Sequence, residues 1–68
     1  MATVNIKHLL GQLHAVRHAD SCTHAHLMAL MGYIAACWHL DAISYREYKV
    51  LLDIGKNAHE YRKAELAK

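Results

Sequence analysis

Proline and phenylalanine are absent from this chain, and glycine and cysteine are scarce, with three and two copies. Without proline, no position is locked in φ and none lacks its backbone donor, so nothing of that kind interrupts a helix. Two cysteines, Cys22 and Cys37, are too few for a disulfide framework, and no CxxC pair occurs. Charge is thin as well, at 21% of residues and a formal net of +2. So weak a field does not by itself direct the chain to nucleic acid. What remains is apolar side chain, 54% of 68 residues. That composition excludes intrinsic disorder, which needs low hydrophobicity and high net charge.

The length allows a single domain, 1–68. A domain of this size buries only roughly 60% of the surface its unfolded chain exposes. Its core rarely supplies more than about 3–5 kcal/mol without a staple, a metal or a partner. The excess of apolar residues therefore predicts an obligate oligomer and argues against an enzyme with a deep pocket. The chain starts without a basic n-region, an apolar h-region and a small-residue cleavage site, so the expected location is cytoplasmic, with both thiols reduced.

Helical periodicity occurs three times and predicts an all-α fold with helices at about 4–19, 23–40 and 45–64. In the first, Ile6, Leu9, Leu10, Leu13 and Val16 form one stripe, with Thr3 as the expected N-cap and Gly11 as a weak point. Asp20, Ser21 and Thr23 are each candidates to cap the second helix. That helix is the least ordinary part of the chain, because no Lys, Arg, Asp or Glu lies between Asp20 and Asp41. A helix apolar on all sides belongs in a core or a bilayer. Ser21, Thr23, His24, His26 and His39 interrupt the uncharged stretch, and only Leu27 to Trp38 is strictly apolar or Gly. That run suits a buried helix better than a membrane span.

Three stripes run along this helix. Leu27, Leu30, Ile34 and Cys37 form one, and Met28, Met31, Ala35 and Trp38 another. Ala25, Ala29, Gly32 and Ala36 form a third, of small residues at heptad-like spacing, which suits close packing of two backbones. A three-helix monomer covers two stripes, so the small one is the expected homodimer interface. The third helix opens with a capping box, Ser44 and Glu47, and a hydrophobic staple, Ile43 and Tyr48. Tyr48, Leu51, Leu52, Gly55 and Ala58 mark its inward face. Lys49 with Asp53 and Lys56 with Glu60 are expected i, i+4 pairs. The short connection after Leu40 makes the second and third helices an antiparallel hairpin.

Several chemistries are weighed on particular residues. His14, His18, His24 and His26 cluster with Cys22, and seven histidines in all would raise the net charge from +2 to +9 if protonated. His14 and His18 stand at i, i+4, as metal chelation needs, but Ala15 occupies the place of the metalloprotease Glu and no spacing matches a zinc finger. The bland reading, surface histidines near helix ends, is preferred, and no metal or cofactor is implied. Cys22 near a helix N-terminus has the setting of an activated thiol, yet no oxyanion donors accompany it. A helix-turn-helix reading would aim Arg46, Lys49 and Lys56 at a duplex, but Glu47, Asp53 and Glu60 interleave with them as on a solvated face. Trp38, Tyr45 and Tyr61 do not all fit on inward faces. With Arg46 and Arg62 they are the residue types that dominate protein interfaces, so these five are the candidate partner-binding residues.

The hairpin from Leu40 to Leu52, with its Ser44–Glu47 box, in a chain so short and free of catalytic motifs, resembles the small accessory proteins of bacteriophages. These include anti-CRISPR proteins and the quorum-sensing anti-activators. The resemblance implies stoichiometric binding of a larger host protein, such as a transcriptional regulator or a defence component, and no turnover. The expectation is a non-enzymatic homodimer that inhibits its partner by covering a surface. The alternatives are a dimeric DNA-binding regulator and a His-rich metal-binding protein.

Overall fold

The structure, a computed structural model, describes residues 3–68. Among them the chain forms three α-helices and no strand: α1 at Ile6–Arg17, α2 at Thr23–His39 and α3 at Tyr45–Leu66. The all-α class and the number of helices match the expectation from periodicity.

The caps differ in detail. The side chain that caps α1 is Asn5, which accepts from His8 N at 3.0 Å, so Thr3 is not the cap and the helix starts two residues later than expected. Asn and Thr are both good N-caps, and nothing local distinguishes them. At α2 none of Asp20, Ser21 or Thr23 is the N-cap. Cys22 holds that position in the left-handed region (φ 53°, ψ 41°), and no side chain caps the helix. A left-handed entry replaces the extended geometry from which a cap side chain reaches the first turn. At α3 the capping box forms as expected: Glu47 N donates to Ser44 Oγ at 3.1 Å and Ser44 N donates to Glu47 Oε1 at 2.8 Å. These bonds hold the Glu47 carboxyl below its ordinary pKa.

The α2–α3 turn is a Schellman motif. Ala42 N donates to Cys37 O at 2.8 Å and Asp41 N to Trp38 O at 3.0 Å. Asp41 sits in the left-handed region that the motif requires, with φ 59°. Asp tolerates that conformation better than most residues with a side chain.

The turn sends α3 back along α2, with Trp38 against Tyr48 at one end and His24 near His59 at the other. α1 also runs antiparallel to α2. Asn5 N donates to the Tyr33 hydroxyl at 2.9 Å, and Gln12 Nε2 reaches Ala29 O at 3.5 Å. α1 and α3 are therefore parallel, with Arg17 beside Tyr61 and Glu65.

The core is small. Leu9, Val16, Leu30 and Ile34 form its centre, flanked by half-buried Val4, Leu13, Tyr33, Ile43, Tyr48, Leu51 and Ala58. The α2 stripe that faces it is Leu27, Leu30, Ile34 and Cys37, all buried. Fully burying an aliphatic side chain is worth about 1.5–3 kcal/mol, and among the described residues only Leu30, Ile34 and Val16 are wholly enclosed. The α1 stripe divides: Leu9 and Val16 face inward, while Ile6 and Leu10 are exposed. An α1 of 12 residues packed over a hairpin has room for a narrower face than the sequence offers. On α3, Gly55 is buried where a Cβ would lie 2.8 Å from Leu30 Cδ2, so glycine there allows close approach to α2. No helix among the described residues is long and apolar enough to cross a membrane.

Candidate functional site

The five candidate partner-binding residues divide between the two ends of α3. Tyr45 and Tyr61 are 16 residues apart, about 24 Å along a helix, so they do not form one patch.

At the hairpin end Trp38 stacks on Tyr48, with ring centroids 4.6 Å apart and planes 24° from parallel. Tyr45 lies 5.2 Å from Trp38 and 6.0 Å from Tyr48, and Lys49 Nζ lies 6.0 Å over its ring. Trp38 is half-buried, whereas Tyr45 and Arg46 are exposed. The turn that the Schellman motif fixes thus presents Tyr45 and Arg46 on an aromatic base of Trp38 and Tyr48.

At the other end Tyr61 is exposed, with the Arg17 guanidinium 5.8 Å from its ring centre. Arg17 also holds Glu65 at 2.6 and 3.2 Å. That hydrogen bond is the main reason the Glu65 carboxyl lies below its ordinary pKa and the Arg17 guanidinium above its own. Tyr61 borders a shallow surface depression with Asn57, Glu60 and Ala64.

Arg62 has a different place from the open patch the sequence suggests. Its Nε donates to Ala19 O at 2.6 Å, and its other nitrogens lie 3.4 Å from Glu65 and 3.5 Å from Asp20. The guanidinium closes the α1–α2 corner onto α3. The expected pairs Lys49–Asp53 and Lys56–Glu60 are not among the ion pairs of the described residues. Glu60 is instead 3.7 Å from Lys63, and Glu65 takes Arg17 and Arg62. At Glu60 the i+3 neighbour Lys63 replaces Lys56, and Asp53 takes part in no ion pair among the described residues.

The small-residue face of α2 is open. Ala25, Ala29, Gly32 and Ala36 are all exposed, and a Cβ on Gly32 would meet nothing within 4 Å. Of the histidines, the His14 and His18 rings lie 4.5 Å apart and tilted by 43°, and His24 lies 6.4 Å from His59. Among the described residues no group of three or more His, Cys, Asp or Glu is placed to hold a metal ion. Cys22 is exposed and Cys37 is buried, and both are free thiols. Arg46, Lys49 and Lys56 are exposed together with Glu47, Asp53 and Glu60, so α3 presents both signs to solvent.

Sequence reasoning missed two polar features. His59 is buried, with Nε2 lacking any hydrogen-bond partner. Arg17 joins Tyr61 and Glu65 across 44 and 48 residues of sequence. Helical periodicity signals His59 weakly, since it follows Gly55 at i+4 on the inward face. Nothing local signals the Arg17 contacts.

No known protein family, curated protein or solved structure matches the chain.

Proposed function

We propose that this chain is a non-enzymatic protein-binding module that self-associates and acts by covering a surface of a larger protein. One observation carries the reading. Among the described residues, nine large hydrophobic side chains are exposed, against seven hydrophobic residues buried. A contiguous exposed apolar surface marks a place of interaction, and this molecule keeps more of its large apolar groups outside than inside. Support also comes from the hairpin end, where a rigid turn presents an exposed Tyr and Arg over stacked aromatics. Side chains of this kind anchor protein interfaces.

The partner-binding residues in this reading are Tyr45 and Arg46 at one end and Tyr61 at the other, with Trp38 and Arg62 as their supports. The phage accessory proteins that the chain resembles act in the host cytoplasm by stoichiometric capture. On that model the partner is a host regulator or defence protein.

The test is capture from bacterial lysate with wild-type and Tyr45→Ala chains. The reading requires a protein retained in stoichiometric amount by the first and lost by the second, with unchanged circular dichroism. Tyr45 is the informative site, because Trp38→Ala also removes the stacking on Tyr48 and disturbs the fold. Retention of the same proteins by both chains, or of none, counts against it.

A further inference from the structure

The exposed apolar side chains are not scattered. α1 and α3 run parallel, and Arg17 stands beside Tyr61. Ile6 is separated from Val50, and Leu10 from Ile54, by the same number of residues as Arg17 from Tyr61. These pairs are therefore level with one another along the two helices. The α2 contacts agree: Gln12 reaches Ala29, and Gly55 meets Leu30, the very next residue of α2. At 100° per residue, Ile6, Leu10 and Arg17 share one edge of α1, and Val50, Ile54 and Tyr61 one edge of α3. Both edges border the α1–α3 seam, whose half-buried floor includes Leu13, Leu51 and Ala58. Ile6, Leu10, Val50, Ile54 and Tyr61 are between 45 and 67% exposed. They are five of the nine large exposed hydrophobics.

We propose that this α1–α3 seam is the homodimer interface, with the two-fold axis along the helices, so that α1 of each copy lies over α3 of the other. The proposal rests on the self-association reading above, moves the contact away from the small-residue face of α2, and takes Tyr61 from partner binding into the dimer, leaving Tyr45 and Arg46 to the partner. Two arguments favour a second copy as the occupant. The first is area. The accessible surface is 4748 Å², whereas a monomeric protein of 7.7 kDa typically exposes about 4,300 Å². A standard interface removes about 800 Å² per partner, more than enough to absorb the excess. The α2 face offers Ala and Gly, with Met28 and the C-cap Leu40 as the large exposed groups beside them, against five such groups along the seam.

The second argument is charge. Residues 1–19 contain Lys7 and Arg17 but no Asp or Glu. The charges next to the seam on the outer flank of α3, over the length that α1 covers, are Asp53 and Glu60, with Lys49 and Lys56 further round. A two-fold axis along the helices sets the cationic flank of α1 against the acidic flank of the partner's α3. Lys7 then stands near the partner's Asp53. An axis across the helices would instead lay α1 antiparallel on its own copy, cation against cation, with Lys7 toward the partner copy's Arg17 end.

Sedimentation equilibrium on the full chain tests this, using Leu10→Glu and Ile54→Glu on the seam and Ala29→Glu on α2, with circular dichroism as the fold control. The expected result is a wild-type dimer whose dissociation constant rises about 100-fold or more in each seam variant, because each buries an unpaired carboxylate, and does not move in Ala29→Glu. Dissociation by Ala29→Glu alone overturns the seam but leaves self-association standing. A monomeric wild-type chain overturns both and leaves the groove to another protein's helix. Should a seam variant fail to fold, Lys7→Glu must weaken the dimer and Asp53→Lys added to it must restore it. Absence of that rescue also overturns the proposal.

Discussion

Arg62 Nε donates a 2.6 Å hydrogen bond to the carbonyl oxygen of Ala19, joining α3 to the corner between α1 and α2. Ala19 is buried, and it follows the C-terminal end of α1, where carbonyl groups lack helical partners and the helix dipole favours a cation. Hydrogen bonds to charged groups contribute about 1.5–3 kcal/mol. Arg62→Ala is expected to lower stability by an amount in that range, or about 4–8 °C in Tm per kcal/mol for a domain of this size. Lys63→Ala, one residue away and exposed, with only a 3.7 Å ion pair to Glu60, should change Tm little. Thermal unfolding followed by circular dichroism distinguishes the two. An Arg62→Ala chain as stable as wild type would show that the bond to Ala19 contributes nothing.

The three glycines should respond with opposite signs. Gly11 and Gly32 are helical positions where a Cβ meets nothing within 4 Å. Alanine is favoured over glycine in a helix by about 1 kcal/mol, so Gly11→Ala and Gly32→Ala should raise stability. At Gly55 the same gain is opposed by a Cβ placed 2.8 Å from Leu30 Cδ2, and Leu30 is fully buried. Overpacking a core costs about 1–3 kcal/mol, so Gly55→Ala should be destabilising on balance. Denaturant melts of the three variants check the ranking. A loss of stability in Gly32→Ala would also reveal a helix packed against α2 in solution.

The acid dependence of stability follows from the carboxylates that hold their protons weakly in the fold. Glu65 is kept below its ordinary value of 4.5 first by the Arg17 hydrogen bond, and Glu47 by the bonds with Ser44. A carboxyl with a lowered folded pKa binds fewer protons in the native state than in the unfolded one. Its contribution is present above the unfolded value and fades as pH falls through the folded one. Tm should therefore hold above the ordinary carboxylate value and drop in more acidic solution. In Glu65→Gln that drop should be shallower, with the starting Tm lower. Both side chains are solvent-exposed, so added salt should reduce the difference. A Glu65→Gln chain with an unchanged acid profile would remove Glu65 from the account.

Much of the architecture was legible because it depends on short-range patterns. The Ser44–Glu47 box sets the start of α3, and the Leu27–Leu30–Ile34–Cys37 stripe is the buried face of α2. Periodicity groups Ile6 and Leu10 with Leu9 and Val16, but it does not say how much of a wide stripe the neighbouring helices cover, and Ile6 and Leu10 stay exposed. No residue pattern marks Cys22 as the α2 N-cap, since its left-handed backbone falls on a residue other than glycine. Of the candidate site residues, Tyr45 and Tyr61 are exposed as an interface requires. Arg62 is held by a carbonyl 43 positions away in sequence, a contact that only the assembled bundle reveals.

His59 offers a prediction of the opposite kind, in which a native residue lowers stability. Its imidazole is buried, and Nε2 has no hydrogen-bond partner. Nδ1 lies 3.8 Å from Glu60 Oε1, beyond hydrogen-bond distance, and the His24 ring approaches edge-on at 6.4 Å. A buried polar atom left unsatisfied costs about 1–3 kcal/mol. Leucine has similar bulk without the polar atoms and is a slightly better helix former. Against these gains stands only the loss of two weak contacts. His59→Leu should therefore raise the denaturant midpoint by the equivalent of about 1 kcal/mol, with the slope unchanged, as a pure change in stability requires. His59→Asn, which keeps polar atoms and leaves space, should lower it. If leucine proves destabilising instead, the Nε2 atom has a partner in solution, and His59 becomes the first residue at which to look for it.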